Sequence, residues 1–220
     1  MSSTNSQPVE IRHFYIAVGR SELKLGTLTD LLTALSVRQG LSISICCSRD
    51  TLDAAVDTLR NHFSRGSRQA VASDTFGVQP SVQLECLHSD LSSSECQDIL
   101  SNFRSAASKG SGMHVLGLTE VCLQVSAVED SVLAVPLLIN LDLPKTGKQY
   151  MQRATSILGV TQSNISRMGT GSTKGKSSNS ITSKTVLTFV TPADVNDLRS
   201  LGAKLSLSVQ EMPLDIVDNI

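Results

Sequence analysis

Segments with the composition of β-strands alternate with segments of helical periodicity along almost the whole chain. Strand-like runs, rich in β-branched and apolar residues, occupy 11–18, 40–48, 81–88, 113–119, part of 131–144, and 184–191. Between them, apolar residues recur at helical spacing in 21–36, 49–63, 92–106, 147–158 and 192–205. This alternation predicts βαβ units, and therefore a doubly wound, mostly parallel α/β sheet with helices on both faces.

The length of 220 residues and the 40% hydrophobic content favour one sizeable core. We expect a flexible tail over 1–9 and a single domain over 10–220. Two polar, Gly- and Ser-rich stretches, about 64–80 and 167–183, lack periodicity and are predicted to be long inserted loops. Ser21 is a candidate N-cap for the first helix, and a Ser/Glu pattern predicts the start of the helix at 92–106.

Charge and cysteine content exclude several classes of protein. The chain has 19 Lys and Arg against 20 Asp and Glu, and only 3% aromatic residues, so it has neither a strong global field nor many rings for base stacking. No apolar run approaches the roughly 20 residues of a membrane helix. Five scattered cysteines have no zinc spacing, which indicates reduced thiols and no metal site. These features predict an intracellular protein, cytoplasmic or nuclear, without membrane association.

The stretch RMGTGSTKGKSSNS, residues 167–180, has the residue types of a phosphate-binding loop. Five residues separate Gly169 from Gly175, where the phosphate loop requires four, and neither a strand before the stretch nor a helix after it is predicted. Without that context, backbone amides and a helix dipole do not converge on phosphate. We therefore interpret the stretch as a flexible basic loop, with its cations in solvent: Arg167, Lys174, Lys176 and Lys184.

The order of segments, together with several short strings, resembles the second RecA-like domain of DEAD-box RNA helicases, most closely the eukaryotic translation initiation factor 4A group. The strings are IRHFYIAV and ELKLGTLTDLL near the start, LHSDLSSSECQDILSNFR in the middle, LLINLDLP and QYMQR later, and LTFVTPADVNDLR and SVQEMPLDIVDNI at the end. The resemblance covers residues 9–220 apart from the two loops. It implies the same α/β fold as the alternation of segments.

The resemblance also implies how such a domain works. In the family, ATP and RNA bind across the cleft between two RecA-like domains, and the first domain carries the phosphate loop, the DEAD box and the magnesium ligands. The sequence contains no Asp-Glu-Ala-Asp string. We therefore expect a domain that lacks the first half, with no cofactor of its own and no ATPase activity, since phosphoryl transfer requires the phosphate cradle and the metal.

The family's arginine-finger motif falls on residues 152–159. Arg153 matches its first arginine, but Ser156 and Gly159 stand where two further arginines would face the γ-phosphate. Such a finger contributes roughly 10³- to 10⁵-fold to the rate because it supplies charge where charge develops. Ser and Gly cannot supply it, which predicts a fold retained after its catalytic chemistry was lost.

A second motif of the family, Thr and an acid followed by Ala-Arg-Gly-Asp, falls on residues 119–127. Thr119 is kept and Glu120 is an acid, while Gln124 and Val125 replace the Arg-Gly pair and Ala127 replaces the last Asp. Most of the charged groups that would contact phosphate are therefore replaced, whereas the apolar scaffold remains.

Three residues remain as candidate RNA or phosphate contacts: Arg49, Thr119 and Arg153. Arg49 follows a predicted strand, at the edge where open α/β sheets bind ligands. The alternatives are structural: an ion pair for Arg153 and capping of a strand end for Thr119.

The sequence predicts a non-catalytic helicase-like domain that binds a protein or, weakly, single-stranded RNA, linked by the resemblance to translation or mRNA metabolism. Two alternatives remain. One is a fragment or subunit of an ATP-dependent RNA helicase whose ATP-binding domain another chain supplies. The other is an unrelated nucleotide-binding enzyme that uses the loop at 167–183.

Overall fold

All seven strands of the sheet run parallel. The computed structural model describes residues 9–69, 81–124, 133–160 and 182–213. Within them the strands follow the spatial order β3-β4-β2-β5-β6-β1-β7, and every pairing is parallel. The strands are β1 (Val9–Ala17), β2 (Leu41–Cys47), β3 (Val82–Leu87), β4 (Met113–Thr119), β5 (Leu137–Asn140), β6 (Thr182–Val190) and β7 (Val209–Glu211). The predicted doubly wound α/β fold is confirmed.

Helices cover both faces of this sheet. The α-helices in the described ranges are α1 (Lys24–Leu35), α2 (Arg49–Gln69), α3 (Ser93–Ser108), α4 (Gly147–Leu158) and α5 (Val195–Leu205). Short 3-10 helices, Ser21–Leu23 and Glu120–Gln124, follow β1 and β4. Helices α1 and α2 contribute to one buried apolar cluster, and α3, α4 and α5 contribute to the other. The central strands β2, β4 and β5 are buried on both faces, as expected of a parallel sheet between two helical layers.

Side-chain caps define the starts of two helices. At α3 the Ser92 hydroxyl accepts from the Glu95 amide while the Glu95 carboxylate accepts from the Ser92 amide, so the predicted Ser/Glu pattern forms a complete capping box. Thr146 and Gln149 form the same arrangement at α4. That helix ends at Gly159, whose φ of 69° lies in the left-handed region that glycine adopts without strain.

Several predicted boundaries are wrong. Ser21 makes no capping hydrogen bond; it starts a 3-10 helix, and α1 begins only at Lys24. Helix α2 continues to Gln69, so the first six residues of the predicted loop at 64–80 are helical. Strand β6 begins at Thr182, so the last two residues of the second predicted loop, 182 and 183, belong to the strand. The remainders of both loops, 70–80 and 167–181, lie outside the described residues, as does most of the predicted tail, 1–8.

The end of the chain also differs from the prediction. Helix α5 begins at Val195 rather than at Pro192, which lies before it. The segment after α5 contains the short edge strand β7, which the sequence did not predict. Three residues give too short an apolar pattern to detect, and β7 exists because its amides and carbonyls pair with β1 over His13–Tyr15.

Candidate functional site

The carboxyl ends of all the strands meet at one edge of the sheet, here called the carboxyl edge. Because the strands are parallel, the residues that follow β2, β3, β4 and β5 lie side by side there. Arg49 is the first residue of α2, directly after the turn that leaves β2. Thr119 is the last residue of β4, and Arg153 reaches the edge from the middle of α4. The structure therefore brings all three candidate residues to the carboxyl edge.

Two carboxylates hold the guanidinium of Arg49. One of its terminal nitrogens lies 3.2 Å from Asp53, one turn further along α2, and the other lies 3.2 Å from Asp90, which follows β3. The Asp90 carboxylate also lies 3.6 Å from His88 Nδ1. The Arg49 side chain is 37% exposed, so it is accessible, but its charge is already balanced by anions of the same chain.

Arg153 is buried, with only 4% of the residue exposed. One terminal nitrogen donates to Asn140 Oδ1 and to the Asp142 carbonyl, both at 2.9 Å. The other donates to the Glu120 carboxylate at 3.1 Å. The guanidinium thus joins the ends of β4 and β5 to α4, and in this structure both terminal nitrogens are used inside the protein.

Asp142 and Lys24 extend this network, and the sequence analysis singled out neither. The Lys24 ammonium donates to the Leu141 carbonyl at 2.9 Å and lies 3.7 Å from the Asp142 carboxylate. The Ser48 amide donates to the same carboxylate at 2.8 Å. Burial by itself would raise the pKa of Asp142, but hydrogen bonds from Ser48 and Thr51 and the charge of Lys24 outweigh it and hold the pKa below its usual value.

One signal in the sequence pointed to Asp142. It is an acid two residues after the buried strand LLIN, and Arg49 likewise lies two residues after β2. Lys24 had no comparable signal, because a lysine in the first turn of a helix is ordinarily solvated. Only the fold places its side chain against the end of β5.

Thr119 is buried, and its hydroxyl lies 3.3 Å from the Cys122 sulfur in the 3-10 helix that follows. The neighbouring thiols at the end of β2 are buried as well. Burial raises the pKa of Cys46 to about 12 and also raises that of Cys47. Neither Cys46 nor Cys47 is therefore a thiolate, the usual form of a cysteine nucleophile, at neutral pH.

The two positions aligned with the family's finger arginines lie at the carboxyl end of α4. The Ser156 carbonyl accepts from the Leu133 amide at 3.1 Å, and Gly159 is the left-handed residue that ends the helix. No cation stands at either position. An arginine in place of Gly159 would also be strained, since side chains rarely adopt a φ of 69°. In the second motif, Val125 and Ala127 lie outside the described residues.

Lys184 corrects the interpretation of the basic loop. It lies in β6, is 8% exposed, and donates to the carbonyls of Ala134, Val135 and Leu158. The expectation that it is solvated is wrong, because the strand begins before it and directs its ammonium towards the end of α4. The other cations of that loop, Arg167, Lys174 and Lys176, lie outside the described residues.

Two exposed apolar side chains flank the charged network at the carboxyl edge. Leu23, in the 3-10 helix after β1, is 54% exposed, and Val121, in the 3-10 helix after β4, is 59% exposed. In the described ranges, no three His, Cys, Asp or Glu side chains converge in a way that would hold a metal ion. No described helix has the length and apolarity needed to cross a membrane. The carboxyl edge therefore presents ion-paired charged groups together with two exposed apolar side chains.

Comparison with known proteins identifies the relatives of this chain. No family model matches it. The ATP-dependent RNA helicase eIF4A of Aspergillus clavatus is 29% identical over 210 residues, covering 96% of this chain and 40% of its own length. Eukaryotic initiation factor 4A of Caenorhabditis elegans is 28% identical over 211 residues, again covering 96% of this chain and 40% of its own. The chain thus spans about two fifths of the length of these relatives.

Solved structures show the same fold. The C-terminal domain of the DEAD-box protein Dbp5 superposes with a TM-score of 0.57 at 15% identity, covering 98% of this chain and all of that domain. A DEAD-box protein from Methanococcus jannaschii gives a TM-score of 0.56 at 13% identity, covering 94% of this chain and 42% of its own.

Proposed function

Since the homologues of this chain are DEAD-box RNA helicases of the initiation factor 4A type, and the part it matches is their C-terminal RecA-like domain, we propose that it acts by binding rather than by catalysis. Its ligand is a protein, docked at the carboxyl edge. We also propose, with the homology as support, that it acts in the cytoplasm or nucleus, in translation or mRNA metabolism.

One observation supports a protein over RNA as the main ligand. The three cations of the network, Lys24, Arg49 and Arg153, are each paired with a carboxylate of the same chain. Phosphate binding gains its affinity by replacing counterions with protein cations, and a cation already paired with a carboxylate of the same chain contributes less to that exchange. The exposed side chains of Leu23 and Val121 instead provide apolar surface that a protein partner can bury.

The relatives supply precedents for both kinds of ligand. One structure of S. cerevisiae Dbp5 contains RNA and ADP BeF3, and another contains the C-terminal domain of that protein bound to Gle1 and IP6. The second precedent is a protein complex formed by the same single domain that this chain matches. We use this complex as support for protein binding by the present chain, and we do not propose that its partner is the same protein.

Substitutions at the carboxyl edge test the proposal. Leu23→Asp and Val121→Asp should each abolish capture of the partner from native extract, and capture by the wild type should survive RNase treatment. Val37→Asp is the matched control, because Val37 is an exposed valine (69%) that follows the carboxyl end of α1, remote from the carboxyl edge. Loss of capture on RNase treatment, or equal loss with the control, would refute protein docking at this edge.

RNA binding is expected to be weak and salt-dependent. Each phosphate contact adds roughly 0.7 to the salt slope for a single strand, and Arg49 is the accessible candidate. A filter-binding titration with single-stranded RNA at two salt concentrations measures the slope for the wild type and Arg49→Ala. Tight binding that persists at high salt would reverse the preference for protein over RNA.

The alternative, a subunit whose ATP-binding domain comes from another chain, rests on the partial length of the match to the relatives. Under our proposal, millimolar ATP with magnesium leaves the melting temperature of the purified chain unchanged, because a ligand that binds the native state must raise it. We also expect capture of the partner to be indifferent to ATP. Capture that requires ATP and brings down a nucleotide-binding chain would establish the alternative.

A further inference from the structure

Strand β3 lies at one end of the strand order, and within the described ranges it pairs with β4 alone. The Met113 amide donates to the Ser81 carbonyl at 2.8 Å, which fixes the backbone groups that face β4. Because these groups point to alternate sides along a strand, the odd-numbered residues of β3 pair with β4 and the even-numbered ones face away from the sheet. The outward-facing residues are Val82, Leu84 and Cys86. Their N–H and C=O groups are available to a further strand.

A groove of about 280 Å³ runs between α2 and this strand. Leu59 and Phe63 of α2, with Val82 and Leu84 of β3, give it an apolar lining. Pockets for drug-sized ligands span roughly 300 to 1,000 Å³, so this groove suits individual side chains better than a whole small molecule. A segment paired with β3 would direct every second side chain towards α2 and the groove.

Arg60 is the charged residue among those that line the groove. Its side chain is exposed, and no hydrogen bond or ion pair within the described part of the chain engages it. The nearest acid before it on α2, Asp57, is also exposed and does not line the groove. An acidic side chain on an added segment would therefore meet an unpaired cation next to an apolar lining.

Glu85 supplies the opposite charge on the other face of β3. It lies on the same face as Leu87, which is buried in the cluster that α3 helps to form. The Glu85 Oε2 atom is buried and has no hydrogen-bond partner among the described residues, and burial raises the pKa of this carboxyl. A basic side chain opposite Glu85 on an added strand would compensate the carboxylate, since opposite charges on facing positions of two strands attract.

We propose that the free edge of β3 binds an extended segment of a partner protein, which adds a strand to the sheet. Main-chain hydrogen bonds to the outward-facing residues supply affinity, and the side chains of the segment supply specificity. Because β3 has six residues, the segment has about six. It carries apolar and acidic residues on the side of α2 and a basic residue on the side of Glu85. The inference goes beyond the proposed function and does not rest on it, since the site is built from α2 and β3 and not from Leu23 and Val121.

The charges favour this occupant over a second copy of β3. The strand VQLECL contains no Lys or Arg to face Glu85. Its one acid is Glu85 itself, which lies on the face away from Arg60. In the register that sets Glu85 opposite Glu85 of a second copy, the two carboxylates would repel each other.

A peptide titration of the isotope-labelled full-length chain, followed by amide chemical shifts, tests the inference. The probe is the end-blocked peptide Thr-Val-Lys-Asp-Thr-Val, which places Val, Asp and Val on one side and Thr, Lys and Thr on the other. The amides of Val82, Leu84 and Cys86 should shift more than those of Gln83 and Glu85. The same peptide with Lys and Asp exchanged is the matched control and should bind about tenfold more weakly.

Three outcomes would overturn the proposal. One is equal binding of the two peptides, or shifts that leave β3 unaffected. Another is protection of the outward-facing amides from hydrogen exchange in the free chain, which would mean that the edge is already covered. The third is a concentration-dependent dimer whose formation shifts the same amides, which would assign the edge to a second copy.

Methylation of the peptide amides separates strand addition from side-chain contact alone. In an added strand only alternate amides face β3, so methylating that set should abolish binding, whereas methylating the other set should leave binding unchanged. This comparison requires no change in the protein. Equal effects of the two sets would overturn strand addition.

Charge variants of the protein test the side-chain selection. Arg60→Glu should weaken binding of the first peptide about fivefold. Arg20→Glu, the same charge change at an exposed site after β1, is the control and should leave binding unchanged. Arg60→Glu/Glu85→Lys should prefer the control peptide to the first, a reversal that damage to the fold does not produce. An unreversed preference, or equal weakening by Arg20→Glu, would overturn the proposal.

Discussion

Arg153 and Lys184 are both buried cations, but they lie at opposite ends of the sheet and are neutralised in different ways. At the carboxyl edge, Arg153 is paired with the Glu120 carboxylate and also donates to an amide and a carbonyl oxygen. Near the start of β6, Lys184 donates to carbonyl oxygens alone. One of these carbonyls, Leu158, belongs to the last turn of α4, where a positive charge is favoured by the helix dipole.

The two cations differ in what their removal would leave behind in the protein. Arg153 connects the Glu120 carboxylate to the ends of two strands, and we call this arrangement a structural joint. Removing the arginine leaves a carboxylate without a compensating charge, which lowers the stability of the fold. A lysine solvated by carbonyls leaves no charge behind when it is removed. In this structure the terminal nitrogens of Arg153 and the ammonium of Lys184 are hydrogen-bonded inside the protein, and a phosphate contact by Arg153 stays a prediction.

The largest effect is expected from Arg153→Met. This substitution leaves Glu120, whose side chain is only 22% exposed, without its partner, and removes donors from Asn140 and the Asp142 carbonyl. We expect the free energy of unfolding to fall by about 3 kcal/mol, measured by urea denaturation. Glu120→Gln in the same background is the matched control and should recover part of the loss. A loss below about 1 kcal/mol would show that the pair is not a structural joint.

Lys184→Met should have a smaller effect, about 2 kcal/mol, because it leaves carbonyls without donors but no unpaired charge. The methionine keeps most of the apolar stem, so the loss reports on the ammonium. Urea denaturation at neutral pH is again the measurement. A loss as large as that of Arg153→Met would remove the distinction between the two cations.

The pH dependence of the same pair of proteins sharpens this point. Burial lowers the pKa of Lys184 from 10.5, so at high pH the folded protein releases this proton before the unfolded chain does. Stability of the wild type relative to Lys184→Met should therefore rise as the pH increases through the lowered pKa, and level off above 10.5. If the stability of the wild type relative to Lys184→Met instead falls over this pH range, burial of the charged amine would be contradicted.

Arg49→Ala should have the smallest effect. Its side chain and both partner carboxylates are substantially exposed, so the ion pairs are screened by solvent and salt. The expected loss is below about 1 kcal/mol and should shrink further at high salt. Asp90→Asn is the companion variant, and a loss above about 2 kcal/mol for either would mean that this part of the edge is as rigid as the Arg153 joint.

The sequence predicted the sheet, its helical layers and the capping of α3, because these depend on local periodicity and on residues three apart. It could not predict the burial of Arg153 or Lys184, because that depends on atoms more than ten residues away that only the fold brings together. It also missed the last turns of α2, whose residues SRGSRQ have no apolar face. Polar helical turns and buried cations are missed for the same reason. The local sequence pattern does not show which distant residues they contact in the fold.

The pairing of β1 with β6 has a consequence for how the protein is made. Strand β1 is synthesised well before its neighbours in the sheet, β6 and β7. At 5 to 20 residues per second, roughly ten to thirty seconds pass between the two. During that interval β2, β3, β4 and β5 can assemble, while the apolar strand IRHFYIA has no partner and is exposed to misassociation. A nascent chain of this topology should therefore depend on chaperones until β6 emerges.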